Sequence, residues 1–188
     1  KLGYKIKLLG ITEIINNNLF ERVHPCLIKK DSYIANINGV MNAIILEGKP
    51  VGQSVLQGEG AGPGPTSSAL MSDLLSILRG NINYPFGIPS NKRNSVNFYD
   101  KNRYSNSLYL RLEVKDKPGV LSSITKTFTR YKISIKNLIQ NPDKKNNKAS
   151  VIIITHKNLE KNYDSLIRNL SKNIFILKKP TYIRIEKV

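Results

Sequence analysis

The strongest constraint on this chain is the way its apolar residues change period between positions 107 and 188. Leu108, Leu110, Leu112 and Val114 alternate with Tyr109, Arg111 and Glu113, the period-2 pattern of a strand with one buried face. KDKPGV then breaks the alternation with Pro118 and Gly119, residues suited to a tight turn. Val120, Leu121, Ile124, Phe128 and Tyr131 follow on one helical face. Ile133 and Ile135 open a second strand running to about Gln140. Residues 141–148 read as a polar hairpin loop, and Ala149 to Thr155 as a strand apolar enough to be central. Leu159, Tyr163, Leu166, Ile167 and Leu170 mark a second helix, and residues 174–178 and 181–186 supply a last strand or a short hairpin around Pro180. The order β-α-β-β-α-β is the split-βαβ, ferredoxin-like arrangement.

Upstream, Tyr4, Ile6 and Leu8 alternate with Lys5 and Lys7 and predict a half-buried strand. Val23 to Ile28 and Val40 to Leu46 are further strand candidates, with a turn-like break at Asn36 to Gly39. GEGAGPGPTSSALMSDLLSILRG then predicts a helix with Pro65 in its first turn and Gly80 just past its end. Ala69, Leu70, Asp73, Leu74, Ile77 and Leu78 give it a mostly apolar face, and Thr66, Ser67 and Ser68 can serve N–H groups at its start. Between the two patterned regions lies NINYPFGIPSNKRNSVNFYDKNRYSN, polar and rich in Asn. The expected organisation is a mixed-sheet segment over 1–80, a linker over 81–106 and a second domain over 107–188, an α/β chain of the α+β kind.

Composition narrows the function. Lys and Arg number 30 against 13 Asp and Glu, a balance of +17. Such a balance invites a nucleic-acid or anionic-membrane reading. The basic residues are scattered, however, and the densest pairs, Lys144-Lys145 and Lys178-Lys179, are too short for a binding stripe and lack an interleaved aromatic platform. Lys, Asn, Ile and Tyr are abundant together, which an AT-rich coding sequence produces by itself. No nucleic-acid partner is expected. The apolar runs, such as IIL at 44–46 and VIII at 151–154, fall far short of the roughly 18–20 residues of a membrane span. Cys26 is the only cysteine, and His24 and His156 stand apart, so neither a disulfide nor a metal site is expected. The N-terminal residues resemble no secretion signal, and a reducing cytoplasm is the expected setting. The chain opens on a strand already under way, without Met, and reads as cut from something longer.

Two motifs carry chemistry. In Gly58-Glu59-Gly60-Ala61-Gly62-Pro63-Gly64-Pro65-Thr66 the glycines permit close backbone approach to a ligand, at the start of a helix. Pro63 breaks the G-x-G-x-x-G spacing, which excludes a Rossmann phosphate loop. On composition alone, ligand approach and a plain tight turn stand level. YKIKLLG at 4–10, RVHPCLI at 22–28, NINGVMNAI at 36–44 and GEGAGPGPTSSALMSDLL at 58–75 resemble consecutive blocks of the homoserine dehydrogenase catalytic domain. The resemblance implies an NAD(P)-dependent oxidoreductase that interconverts L-homoserine and L-aspartate 4-semialdehyde in threonine, methionine and isoleucine biosynthesis. It implies that the glycine loop closes over the nicotinamide end of NAD(P)H, with Gly62 at the centre and Gly60 and Thr66 beside it. It also implies that the Rossmann domain, the catalytic Lys and the homoserine-binding acids precede Lys1, so no catalytic residue is assigned here and the chain alone is expected to be inactive. Cys26 stands where relatives often carry Thr and is given no role; Lys5, Lys7 and Asp73 are given none either.

The second motif, LRLEVKDKPGVLSSI at 110–124, resembles the first strand, loop and helix of an ACT domain. That resemblance implies a small amino acid, here threonine as a feedback effector, bound by Asp116, Gly119, Val120 and Leu121, with Asn137 and Ile139 on a facing strand. The turn and helix start would offer N–H groups to its carboxylate. A homo-oligomer is expected, since an unpaired sheet edge is a liability. The alternative is a non-catalytic amino-acid-binding ACT regulatory protein, for which the GEGAGPGPT loop has no use.

Overall fold

The computed structural model describes residues 2–81, 83–143 and 145–188. Lys1, Ile82 and Lys144 lie outside the described residues, and the Lys144–Lys145 pair with them. In chain order the elements are strands β1 (Tyr4–Ile15), β2 (Asn18–Lys29), β3 (Met41–Gly48) and β4 (Gly52–Glu59), helix α1 (Pro63–Leu78), strand β5 (Ser105–Lys115), helix α2 (Val120–Arg130), strands β6 (Ile135–Asp143), β7 (Lys148–Thr155) and β8 (Asn158–Leu159), helix α3 (Glu160–Leu170) and strand β9 (Thr181–Ile185). They fall into two compact units. One joins the residues up to Lys30 with Asn97–Val188, and the other is Asp31–Val96.

The larger unit is built on one mixed sheet in the order β1-β2-β9-β5-β7-β6. The ferredoxin-like order predicted for 107–188 is present as β5-α2-β6-β7-α3-β9. Leu108, Leu110, Leu112 and Val114 turn inward from β5, each about 1% exposed or less, against Ile124 and Phe128 of α2 and Tyr163, Leu166 and Leu170 of α3. This alternation against a helical stripe is what makes the core legible in sequence. β5 begins three residues earlier than predicted, because Ser105 and Asn106 pair with Leu159 and Asn158. β6 also outlasts its prediction and runs on to Asp143. Ile133 is buried in the turn after α2 rather than in a strand.

Strand β9 is the seam of this sheet. It pairs antiparallel with β5 and parallel with β2, where Cys26 meets Arg184 and Leu27 meets Ile185. The β1–β2 hairpin therefore joins the ferredoxin-like layer instead of the segment that follows it in sequence. The second half of the linker joins it too. Leu19 N–H donates to Asn97 O and Tyr99 N–H to Leu19 O, both at 2.8 Å. The compact units are thus divided at 30/31 and 96/97, whereas the sequence segments were drawn at 80/81 and 106/107.

The phase of β1 is the reverse of the half-buried face expected for Tyr4, Ile6 and Leu8. Ile6 is 60% and Leu8 70% exposed, and Val23 across from Gly10 is 76% exposed. Pairing sets the faces: Cys26 shares the helix side with Arg184 and Leu108, which places Lys7 there and sends Ile6, Leu8 and Val23 to the side that carries no helix. In this chain that side is open, so an apolar stripe faces outward.

The smaller unit pairs β3 with β4 in a hairpin and follows it with α1. β4 went unread in sequence because GQSVLQGE carries little apolar alternation. α1 starts at Pro63, which puts Pro65 in its first turn as expected, and Gly80 takes the left-handed conformation expected past a helix end, at φ +73°. No residue of α1 is buried, and Leu70, Leu74, Ile77 and Leu78 are 48–72% exposed. A helix apolar on most sides is made to be enclosed; this chain does not enclose it.

Candidate functional site

The glycine turn lies in the smaller unit. Gly58 and Glu59 complete the hairpin opposite Asn42 and Met41, and Gly60 N–H donates to Val40 O at 2.9 Å. The space beside the Gly60 backbone is taken by the end of the exposed Asn42 side chain, whose Nδ2 would lie 1.6 Å from a Cβ there and would have to turn away to admit one. Asn42 was not singled out in sequence, and nothing in its neighbourhood of NINGVMNAI marks it. Gly62 caps α1 at φ 132°, ψ 155°, a conformation that strongly favours glycine. The turn needs glycine for its backbone angle at Gly62, while at Gly60 the neighbour is a side chain that can move.

The start of α1 is a weak anion site. Pro63 and Pro65 have no N–H, and Thr66 N–H closes the first helical bond onto Gly62 O at 3.1 Å. Of positions 63–66, only Gly64 keeps an N–H not committed in this way. Phosphate sites at helix starts use several such donors. Thr66, Gly60 and Gly62 line one side of an exposed or half-exposed turn, where backbone can lie against a flat neutral group.

The second candidate lies in the larger unit, where β5 runs into α2. Asp116 N–H donates to Asn147 O at 2.9 Å, and its carboxylate accepts from Gln140 Nε2 at 3.2 Å. Gly119 caps α2 in the left-handed region, φ 86°. The first helical bond is Ser123 N–H to Gly119 O, 3.0 Å, so Leu121 and Ser122 point N–H groups out of the helix start. No acidic residue occupies that first turn. α2 thus retains the donors that α1 lacks. Val120 is 3% exposed with its side chain in the core, which leaves only its backbone to a ligand, and Leu121 is partly buried against the same core.

On β6, Asn137 pairs with Ile154 and Ile139 with Ile152, on the side away from the helices. Leu138 and Gln140, opposite the core residues Ile153 and Val151, share the side of α2. Within one chain it is therefore Gln140 that reaches the Asp116 loop, a residue the sequence reading passed over. Asn137 and Ile139 lie on an edge strand with no further strand beyond it among the described residues.

A third cluster ties the hairpin to β9. Arg22 donates from Nε and Nη2 to both carboxylate oxygens of Glu186 at 3.1 and 3.0 Å, and from Nη2 to Glu13 at 2.6 Å and Tyr104 Oη at 2.9 Å. Its guanidinium also lies over the rings of Phe20 and Tyr104. Burial works against the charge of Arg22, but its hydrogen bonds to Glu186 and Glu13 outweigh that and raise its pKa further. Burial likewise opposes the Glu186 charge, yet Arg22 holds that carboxyl below its usual range. Burial and then the Glu186 charge push the Cys26 thiol up to about 11. Cys26 is fully buried and its Sγ contacts Lys7 O, so it is a packed thiol rather than a nucleophile. Among the described residues no group of His, Cys, Asp and Glu could hold a metal.

Comparison with known proteins places these features. The homoserine dehydrogenase family pattern matches residues 1–75, and the ACT domain pattern matches residues 108–175. The homoserine dehydrogenase of Helicobacter pylori is 34% identical over 186 residues, 99% of this chain and 44% of that protein. That of Neisseria gonorrhoeae is 33% identical over all of this chain and 45% of its own length. The crystal structure of a homoserine dehydrogenase from Thiobacillus denitrificans superposes on 99% of this chain with a TM-score of 0.86 at 33% identity, covering 43% of that chain. This chain spans less than half the length of these relatives. The chain is thus similar along nearly its whole length to homoserine dehydrogenases, with that family's pattern over residues 1–75 and an ACT domain over residues 108–175.

Proposed function

We propose that the whole protein interconverts L-homoserine and L-aspartate 4-semialdehyde with NAD(P)H in the synthesis of threonine, methionine and isoleucine, and that its ACT domain binds threonine as a feedback effector. The observation that carries the first part is the glycine turn. The side-chain-free backbone at Gly62, φ 132°, at the start of α1 suits a cofactor ring laid flat against the chain, with Thr66 in the first helical turn beside it. The nicotinamide supplies or accepts the hydride when bound, while these residues position and cover it. On this reading the groups that bind homoserine and move the proton lie outside this chain, which spans 44% of the Helicobacter pylori relative. The 188-residue chain alone is expected to turn over neither substrate; turnover by it would refute that allocation. Extended to the relatives' full length, it should oxidise homoserine with reduction of the nucleotide, followed by absorbance. The fitting setting is the cytoplasm, where the nucleotide pool and a reduced Cys26 are both maintained. In support, no helix among the described residues is long and apolar enough to cross a membrane.

For the effector, the uncommitted N–H groups of Leu121 and Ser122 suit a carboxylate, and the Asp116 carboxylate pinned by Gln140 suits an ammonium group. Pairing of two copies along the β6 edge, where Leu138 and Ile139 are exposed, would bring Asn137 and Ile139 of a second copy to the first. A ligand at a hundredfold over Kd stabilises its host by about 2.7 kcal/mol, so threonine should raise the melting midpoint by several degrees. A flat titration with threonine and related amino acids would remove the sensor role. The alternative of a non-catalytic ACT regulator has no account of residues 1–75.

A further inference from the structure

A cavity of about 320 Å³ opens in the larger unit where the ends of β2, β9 and β7 meet the starts of β5 and β6. Ser107, Ile154 and Ile185 form its floor on the side of the sheet that carries no helix. Four lysines from four separate segments stand around it: Lys29 at the end of β2, Lys136 at the start of β6, Lys157 after β7 and Lys187 after β9. Lys136, Lys157 and Lys187 take part in none of the ion pairs found among the described residues. One acidic residue also borders the cavity, Glu186. Glu186 is committed to Arg22 on the opposite side of the sheet. Four lysines thus line the cavity beside one acidic side chain that is already engaged.

We infer that this cavity is a binding site for a small organic phosphate, separate from both the glycine turn and the Asp116 loop. Ammonium groups gathered on one opening repel each other, and a dianion between them turns that repulsion into attraction. Lysine binds phosphate as a point charge and needs no fixed fork geometry, which suits four flexible chains converging from different strands. The volume falls at the small end of the range for metabolite sites. The apolar part of the floor, Ile154 and Ile185, accommodates the carbon body of a phosphate ester and favours it over inorganic phosphate. The site does not depend on the dehydrogenase reading, because none of its groups is used there.

Calorimetric titration of the 188-residue chain with butyl phosphate and with inorganic phosphate, in about 0.15 M KCl to screen diffuse attraction, tests the inference. Saturable binding is expected, tighter for butyl phosphate. Lys136→Met with Lys157→Met should weaken it at least about tenfold, since each removes a cation that would contact the phosphate. Lys126→Met with Lys161→Met, an equal charge loss on exposed helical positions, should leave it within about twofold. Equal weakening by the two pairs would mean that only the overall +17 charge attracts the anion, and would overturn the site. Amide NMR of the unaltered chain gives an answer independent of any variant: butyl phosphate should shift Ser107 and Ile154, and shifts confined elsewhere, or no saturable binding, would overturn it as well.

Discussion

The hydroxyl of Tyr163 offers a sharp test of how the ACT core is held. It lies 2.6 Å from Thr155 Oγ1, 3.0 Å from Asn106 O and 2.9 Å from His156 O, on a side chain 2% exposed. Thr155 Oγ1 already accepts from Leu108 N–H at 2.9 Å. Each hydroxyl has one proton. The two carbonyls can only accept, so the phenol must donate to them, and Thr155 must donate to the phenol. The bonds therefore run one way, from Leu108 N–H through Thr155 and Tyr163 to the carbonyls that bracket strands β5 and β7. Burial pushes the phenol up to about 12, so it keeps its proton throughout the working pH range. Tyr163→Phe keeps the ring but strands the Thr155 proton and relieves the carbonyls of their donor. Leaving such groups unpaired costs roughly 1–3 kcal/mol. Thr155→Val strands Leu108 N–H and removes the donor to the phenol, with a similar cost. Because both variants break the same hydroxyl pair, the double variant should lose less than the two singles together, by at least about 0.5 kcal/mol. Urea unfolding of the four chains by far-UV circular dichroism measures it. Additivity within about 0.3 kcal/mol would show that the two hydroxyls act separately and would refute the directed chain.

Glu186→Gln should destabilise the larger unit by about 3–5 kcal/mol at neutral pH, because it leaves Arg22 buried beside a single carboxylate; unfolding near the wild-type midpoint would show the pair to be dispensable. The Glu186 carboxyl is held below its ordinary value of 4.5, so its contribution is present above that value and is lost as pH falls through the depressed one. The stability difference between wild type and Glu186→Gln should accordingly shrink in acid, and a difference that stays constant down to about pH 3 would contradict the assignment. Gly62→Ala should destabilise the glycine turn by roughly 1–3 kcal/mol, because φ 132° is strained for any residue with a Cβ. Gly60→Ala should cost less, since the exposed Asn42 side chain it meets can turn away, and a larger loss for Gly60→Ala in thermal unfolding would place the strain at the wrong glycine.

The sequence was most readable where one periodic face meets one core. The residues Leu108 to Val114, Ile124, Phe128, Tyr163 and Leu166 could be picked out because alternation and helical spacing both report burial within a single layer. The same logic misread Ile6 and Leu8. Alternation tells which residues share a face, but not which face is covered, and that depends on Cys26 meeting Arg184 from the far end of the chain. The Arg22–Glu186 pair was invisible for the same reason, since its members are 164 positions apart. Of the candidate sites, the glycines were legible through their composition, while Asn42 and Gln140 were not: each acts through a cross-strand contact that register alone creates.

The position of β9 bears on the order in which the sheet can form. It follows every other strand of the sheet in sequence, yet it sits in the middle, between β2 and β5. While the chain is being synthesised, the β1–β2 hairpin is complete early and has no neighbour on its β2 edge at the positions of Cys26 and Leu27. The β5, β6 and β7 strands can pair among themselves but remain open on the other flank of β5. Closure waits for the final strand, across one of the longest sequence separations the chain contains, which makes it a slow step of high contact order. Until then two sheet edges stand exposed to other nascent chains, and the charged cluster around Arg22 becomes the latch that sets once β9 slides in.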